Sequence, residues 1–468
     1  MTEHIFTGFG FGPIQGSLFA KEAFQSGNFT RIVAAEIDAR LVDAVRANNG
    51  SYYVNVAKAD GIEVLKIDNI ELLNPNVTAD KQILLEVLAQ STEITTCLPS
   101  VNFYESGGAN SAASLIADGL KNSTAKAKIV YTAENNNHAA EILEKAVVDK
   151  ISALSEKPVQ FLNTVIGKMS RVVTDTEETE ARCEGSRGLR KQGGFRSEIA
   201  ELNLKTVAPG INRAFLVEQF NRILVSRTRI PDFRPGIEVF IEKDDLLAFE
   251  EAKLYGHNAI HSLLGFIAAV KGYTKMTELA DDQEIMQIGR AAFLQECGVA
   301  LITKYTFLGD ELFTEAGFKV SAEDLLERMT NPYLGDTVAR VVRDAVRKLG
   351  MNGRIFGTMQ LALEYGIEPT TMALGAMAGI AVLLEKADEN NLPGDLHFGD
   401  WRKLNDSKIE KIINWLWKGR TSKYTDQLIK YVQNARKRLT ALVKVKNGSG
   451  FPPIRLRSGQ ALRGNDRE

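Results

Sequence analysis

His4-Ile5-Phe6-Thr7-Gly8-Phe9-Gly10-Phe11-Gly12-Pro13-Ile14-Gln15-Gly16 begins as a short apolar run, turns on glycines and leads into a helical pattern from Ser17 to Phe24. A second β-rich run, Arg31-Ile32-Val33-Ala34-Ala35, follows and ends on Glu36. Strand, glycine turn, helix, strand and then an acid about twenty-five residues past the glycines is the arrangement that binds a dinucleotide. The glycines let backbone approach a pyrophosphate, and the helix N-terminus favours its charge. On this reading Gly10, Gly12, Pro13 and Ile14 form the cofactor turn. The Glu36 carboxylate accepts hydrogen bonds from the adenosine ribose and repels a 2′-phosphate, so NAD is expected over NADP. The third glycine of G-x-G-x-x-G is missing, with Gln15 in its place.

Working outward, β-rich runs alternate with helical patterns from residue 1 to about 245. Glu93–Cys97 and Lys128–Thr132 read as further buried strands of a parallel sheet. Ile223–Val225 and Ile237–Ile241 read as late strands, on an antiparallel extension. The charged, glycine-containing stretch from Thr174 to Gly194 lacks periodicity and reads as a long loop. From about 246 to 395 helical periodicity dominates, and from 396 to 468 two more helical patterns end in a Gly/Pro/Arg tail. Strand–helix alternation followed by helices alone implies an α/β chain. The expected architecture is a Rossmann-type NAD-binding domain (1–245), an all-helical substrate domain (246–395) and a basic helical extension (396–468). In that extension Lys and Arg outnumber Asp and Glu more than two to one. It reads either as an electrostatic dock or as a solvated appendage.

Composition narrows the class. The 468 residues carry a net charge of −2, which gives no general attraction to nucleic acid or to an anionic membrane. Cys97, Cys183 and Cys297 show no paired spacing and suit a reducing compartment. The start lacks the basic and apolar regions of a signal peptide. The apolar run Met372–Leu384 is too short to span a bilayer and reads as a buried helix. A cytoplasmic enzyme with a small-molecule substrate is the expectation.

Inside a helical pattern, Lys253, Asn258 and His261 spell K-x4-N-x2-H. At about 100° per residue, His261 falls roughly 80° and Asn258 roughly 140° around an α-helix from Lys253. A lysine held among neutral polar groups can lose its proton near neutral pH. It can then take a proton from an alcohol while an Asn amide donates to the developing alkoxide. A solvated face carrying scattered polar residues is the bland alternative. Asn135 follows the Lys128–Thr132 strand, at the end where open α/β sheets bind ligands; alternatively it, Asn136 or Asn137 caps the next helix. His257 and His261 are four apart, but the glutamate of H-E-x-x-H is absent and no third ligand is evident, so no metal is expected. Glu250, one turn before Lys253, could pair with it or relay protons to it. Arg340, Arg343, Arg347 and Lys348 are compatible with one basic helix face, suited to a phosphate or carboxylate or else paired with Asp336 and Asp344.

With these motifs the chain resembles the polyol-specific long-chain dehydrogenases, whose catalytic signature is K-x4-N-x2-H. The likeness runs from Ile5 to about Gly366. It includes Glu36–Val45 with Ser51-Tyr52, then Thr132-Ala133-Glu134-Asn135. It continues through Asn331-Pro332-Tyr333-Leu334 with Arg340, Arg343, Lys348 and Glu364-Tyr365-Gly366. The turn Gly10–Ile14 is looser than the family's G-x-G-N-F/I. The resemblance implies Lys253 as general base, Asn258 and Asn135 as donors to the substrate oxygen, and His261 orienting a substrate hydroxyl. It adds Glu134 to the cofactor set and Arg340 and Lys348 to the substrate chain, with Arg343 shared by the phosphate-using branch. The implied reaction is NAD-dependent interconversion of a hexitol (phosphate) and a ketose (phosphate), mannitol 1-phosphate and fructose 6-phosphate foremost. A free mannitol or hexuronate (tagaturonate/fructuronate) dehydrogenase, or a non-catalytic NAD-binding protein, are the alternatives.

Overall fold

The computed structural model describes residues 4–151, 158–174 and 198–444; the Thr174–Gly194 stretch beyond its first residue, Cys183 and the tail after Lys446 lie outside them. The chain divides into two compact units, Met1–Lys253 with Asn331–Leu334, and Leu254–Thr330 with Gly335–Glu468.

The first unit is built on an eight-stranded sheet. Its central strands are β1 (His4–Phe9), β2 (Phe29–Ala35), β5 (Ile70–Leu73), β6 (Glu93–Thr96), β7 (Lys128–Thr132) and β8 (Val159–Ile166). They run in the order β5-β2-β1-β6-β7-β8 and every neighbouring pair is parallel. Every residue of β6 and β7 is buried, as expected of parallel strands covered on both faces. β2 divides its side chains by the two-residue period: Ile32 and Ala34 enter one core, Val33 and Ala35 the other. The second core is closed by α3 (Thr78–Gln90), α4 (Ala112–Lys121) and α5 (Ala139–Val148). Lys128 is buried at the start of β7, yet its ammonium donates to the carbonyls of Leu88 (2.8 Å), Ala89 (3.0 Å) and Ser91 (2.5 Å) around the end of α3. A buried cation is tolerable where it meets orphan helix-end carbonyls.

The late strands are β11 (Ile223–Ser226), antiparallel to β8, and β12 (Phe240–Lys243), parallel to β11. The antiparallel extension is thus present, with its last strand three residues later than expected. A second sheet, absent from the sequence reading, has the order β4-β3-β10-β9, from β4 (Ile62–Ile67), β3 (Tyr52–Ala57), β10 (Arg213–Glu218) and β9 (Ser170–Thr174). Asn331–Leu334 also belongs to this unit rather than to the helical part: Asn331 donates to Lys58 O at 3.2 Å, and Arg171 donates to Leu334 O at 3.0 Å.

The second unit is helical. It contains α7 (Ala259–Val270), α8 (Gln283–Ala291), α9 (Val299–Tyr305), α10 (Glu315–Met329), α11 (Val338–Val341), α12 (Ala345–Lys348), α13 (Arg354–Glu364), α14 (Met372–Glu385), α15 (Asp406–Leu416) and α16 (Thr425–Lys444). Met372 to Leu384 is buried throughout, and small residues allow close approach: a Cβ on Gly375 would lie 3.1 Å from Leu263, and one on Gly379 2.8 Å from Leu349. Helix α14 packs on α7 and α16, so the described part of the basic extension belongs to this unit. Gln283–Leu308 is long and apolar enough to cross a membrane by length and composition, and half of its apolar window is buried in the fold.

Candidate active site

The order β2-β1-β6 places a topological switch point between β1 and β6, and the glycine turn leaves the carboxyl end of β1 there. Gly10 has φ +79°, and a Cβ on it would lie 2.9 Å from the Cys97 carbonyl oxygen. Only glycine fits both conditions. A Cβ on Gly12 would meet nothing within 4 Å, so the protein's own packing does not demand glycine there.

The missing third glycine has a structural explanation. The first helix opens with a π turn, Gln15–Phe19, before becoming α1 (Ala20–Ser26). A π turn holds one extra residue. The spacing therefore reads G-x-G-x-x-x-G, with Gly16 in the packing role: a Cβ there would lie 2.8 Å from the Phe215 ring, and Tyr52 donates to Gly16 O at 2.5 Å. Gln15 turns inward over Gly8 and accepts from Thr95 at 2.8 Å. Gly10→Ala should cost about 1–2 kcal/mol for the left-handed backbone alone, more with the fixed carbonyl, and weaken nucleotide binding. Thermal unfolding and nucleotide titration of that variant check this.

Glu36 leaves the end of β2 and braces the same turn. Its carboxylate accepts from Phe11 N–H (2.7 Å) and Asp38 N–H (2.8 Å), while the side chain stays half-buried. Ile37 beside it is 71% exposed, an apolar surface held in the open next to that acid. Glu134 is buried and accepts from Tyr104 (2.5 Å), Thr96 (2.9 Å) and Leu98 N–H (2.8 Å). Burial raises its pKa, against the pull of those donors. In this structure Glu134 ties together the loops after β6 and β7.

Asn135 is exposed, and its Oδ1 accepts from Lys253 Nζ at 3.0 Å. It does not cap α5; Asn136 takes the His138 N–H at 2.8 Å instead. Glu250 sits in α6 (Leu247–Glu251), and burial, then the Glu141 carboxylate, push its pKa up to about 7 against the opposing charge of Lys253.

The α-helical geometry expected for K-x4-N-x2-H is corrected. Ala252–Asn258 is a π turn between α6 and α7. Its hydrogen bonds run i→i+5, so residues five apart stack on successive turns. Lys253 and Asn258 are five apart; the π turn brings them into line where an α-helix would set them roughly 140° apart.

His261 on α7 is mostly buried, its Nε2 3.4 Å from Asp336 Oδ2 and without a hydrogen bond of good alignment. Burial lowers the imidazole pKa and favours the neutral ring, with Asp336 opposing. Asp336 is 2% exposed and takes both ends of the Arg340 guanidinium at 2.6 Å each. Burial alone would raise its carboxyl, but His261 and Arg340 outweigh it and hold the group well below the usual carboxylate range. Asp336 thus links two expected site residues; its spacing, four before Arg340, was the available signal.

The single basic helix expected from 340 to 348 is not present. Asp344, at φ +56°, breaks it into α11 and α12. Arg343 is exposed. Lys348 is buried, its ammonium donating to the carbonyls of Val341 (2.5 Å) and Arg343. Burial, then the nearby Arg354 and Arg347, push its pKa down to about 7. Lys348 therefore closes the α11–α12 junction, which a helical wheel cannot reveal. Among the described residues no group of three or more His, Cys, Asp or Glu converges as a metal site.

Comparison with known proteins adds an independent line. Residues 245–436 match the mannitol dehydrogenase C-terminal domain family. The mannitol-1-phosphate 5-dehydrogenase of Halalkalibacterium halodurans is 26% identical over 382 residues, covering 82% of this chain and 89% of the relative. That of Buchnera aphidicola is 23% identical over 375 residues, covering 79% and 84%. In fold, the chain is similar to a D-sorbitol dehydrogenase in substrate-free form (TM-score 0.69, 16% identity, 95% and 94% coverage). It is also similar to Pseudomonas fluorescens mannitol 2-dehydrogenase in a ternary complex with NAD and D-mannitol (TM-score 0.62, 16% identity, 95% and 94% coverage).

Proposed function

We propose that this chain, whose residues 245–436 match the mannitol dehydrogenase C-terminal domain family, is a polyol dehydrogenase that interconverts a hexitol phosphate and a ketose phosphate, mannitol 1-phosphate and fructose 6-phosphate, with NAD. The observation that supports the chemistry is the 3.0 Å contact between Lys253 Nζ and Asn135 Oδ1, with Lys253 and Asn258 on one π turn. Neutral Lys253 takes the proton of the substrate hydroxyl, and in the reverse direction its ammonium returns it to the carbonyl oxygen. Asn258 and Asn135 donate to that oxygen as negative charge develops. His261, kept neutral by burial and oriented by Asp336, positions a neighbouring hydroxyl, and Arg340 faces the sugar chain.

NAD, when bound, accepts the hydride from the carbinol carbon. Gly10, Gly12, Pro13 and Ile14 are the residues that would hold its pyrophosphate, and Glu36 its ribose, with Glu134 shaping the loops alongside. The open space over Gly12 and the exposed Ile37 beside Glu36 support that fit. Residues 1–245 then serve as cofactor domain, 246–395 as substrate domain and 396–468 as basic extension, and the setting is the cytoplasm.

A panel of phosphorylated and free hexitols and hexuronates, followed by NADH absorbance, tests the substrate. The expected result is a higher kcat/KM for mannitol 1-phosphate than for any unphosphorylated compound. An equal or higher value on free mannitol or a hexuronate would overturn the phosphate assignment.

A further inference from the structure

The helical unit holds an open cavity of about 850 Å³ between the α12–α13 loop, the end of α14 and the turn after α15. Four cationic side chains line it: Arg347, Arg354, Lys418 and Arg420. Two acids also border it, but each has its own partner. Asp344 faces Arg347 at 3.4 Å and Glu389 pairs with Lys386 at 3.0 Å. That leaves the charge of Arg354, Lys418 and Arg420 largely unanswered.

Two further features favour an anion at this place. Helix α13 begins here, on Gly353, with no side chain capping its first turn and no acid in it. The positive end of that eleven-residue helix therefore faces the lining uncompensated. Arg354 reaches Ser262, next to His261, at 3.3 Å, while its Nε is buried without a hydrogen-bond partner. Burial and then Arg347 lower the Arg354 pKa to about 10, with the Asp344 carboxylate opposing.

We propose that this cavity is a phosphate site that receives the phosphomonoester of the substrate, with the half-buried Arg354 as its anchor and Lys418 and Arg420 as the contribution of the turn between the C-terminal helices. The proposal rests on the hexitol phosphate reading above. The volume is within the roughly 300–1,000 Å³ of small-ligand sites. An uncapped helix N-terminus and Arg donors are the groups that recognise such a dianion. Arg343, to which the family resemblance assigns the phosphate, is not among the residues lining the cavity.

The test compares Arg354→Gln, the exposed double variant Lys418→Gln/Arg420→Gln, and Arg343→Ala in the full chain. The readouts are the ratio of kcat/KM for mannitol 1-phosphate to that for free mannitol, and the binding of inorganic phosphate. Losing one charge-assisted contact corresponds to roughly ten- to a hundredfold, so Arg354→Gln should lower the ratio by that much and the double variant by about tenfold. Both should weaken phosphate binding in parallel. If Arg354→Gln fails to fold, the double variant carries the test. A wild-type ratio well above one that collapses only in Arg343→Ala would overturn the cavity and leave the substrate reading intact. A wild-type ratio near one would instead remove the substrate reading. Phosphate binding that the cavity variants abolish would then keep the site as one for free anion, and its absence would end the proposal.

Discussion

Lys253→Ala should lose about 10²–10⁴-fold in kcat, the usual contribution of a positioned acid–base group, and still bind NADH. The residues proposed to hold the nucleotide, Gly10, Gly12 and Glu36, are set by the turn after β1 and the end of β2. Loss of NADH binding in the variant would give the lysine a different role. In the intact enzyme, kcat/KM for oxidation should rise with pH as the base deprotonates. Glu250, held near 7 by burial and three residues upstream, should leave a separate inflection in that profile. Glu250→Gln should remove the inflection near neutrality; an unchanged profile would leave Glu250 as a purely structural neighbour.

Asp336→Ala is expected to be the most damaging change in the helical unit. It removes a 2% exposed carboxylate that holds Arg340 with two hydrogen bonds and faces His261. Breaking a buried pair costs about 3–5 kcal/mol; with a third of the Arg340 side chain exposed, about 3 kcal/mol is the better expectation. A lower denaturation midpoint with an unchanged denaturant slope would report it. The sign of the pH dependence follows from the lowered pKa. The pair's contribution is fully present above the ordinary carboxylate pKa of about 3.9 and is lost as pH falls from there towards the lower value of the folded state. The variant should therefore show less acid destabilisation than the parent chain as pH falls below about 4. Beyond stability, KM should rise on phosphorylated and free substrates alike, since Arg340 and His261 would lose their common anchor. A KM effect confined to the phosphorylated substrate would contradict that placement.

How much was legible depended on whether the signal was local. The parallel strands β1, β2, β6 and β7 announced themselves as apolar runs because both faces of a parallel sheet are buried. The buried helix α14 did so because burial all round leaves no polar stripe. The second sheet was missed. Its strand β4 is mostly half-exposed or exposed without a two-residue period, and β3 pairs with β10 across about 160 residues, so no local window contains the pattern. The break at Asp344 was missed because a helical wheel presumes a continuous helix, whereas a residue at φ +56° ends one.

By itself the sequence determined the central strands β1, β2, β6 and β7 ahead of a helical half, the glycine turn followed by a strand ending on an acid, and the chemical types at 253, 258 and 261. These are properties of spacing and side-chain chemistry that no packing can alter. Only tertiary structure decided their geometry. A π turn absorbs one residue at Gln15–Phe19, so Gly16 takes the third glycine's place. Another at Ala252–Asn258 lines Asn258 up with Lys253. Both depend on a hydrogen-bond register chosen by packing, here the Phe215 ring against Gly16 and the Phe293 ring 3.2 Å from the position of a Cβ on Gly256. Burial likewise decided which charges face outward: Lys348 and Asp336 lie inside, while Arg343, from the same short stretch, stays in solvent. Desolvation is a property of the whole fold, and a one-dimensional pattern of charges does not contain it.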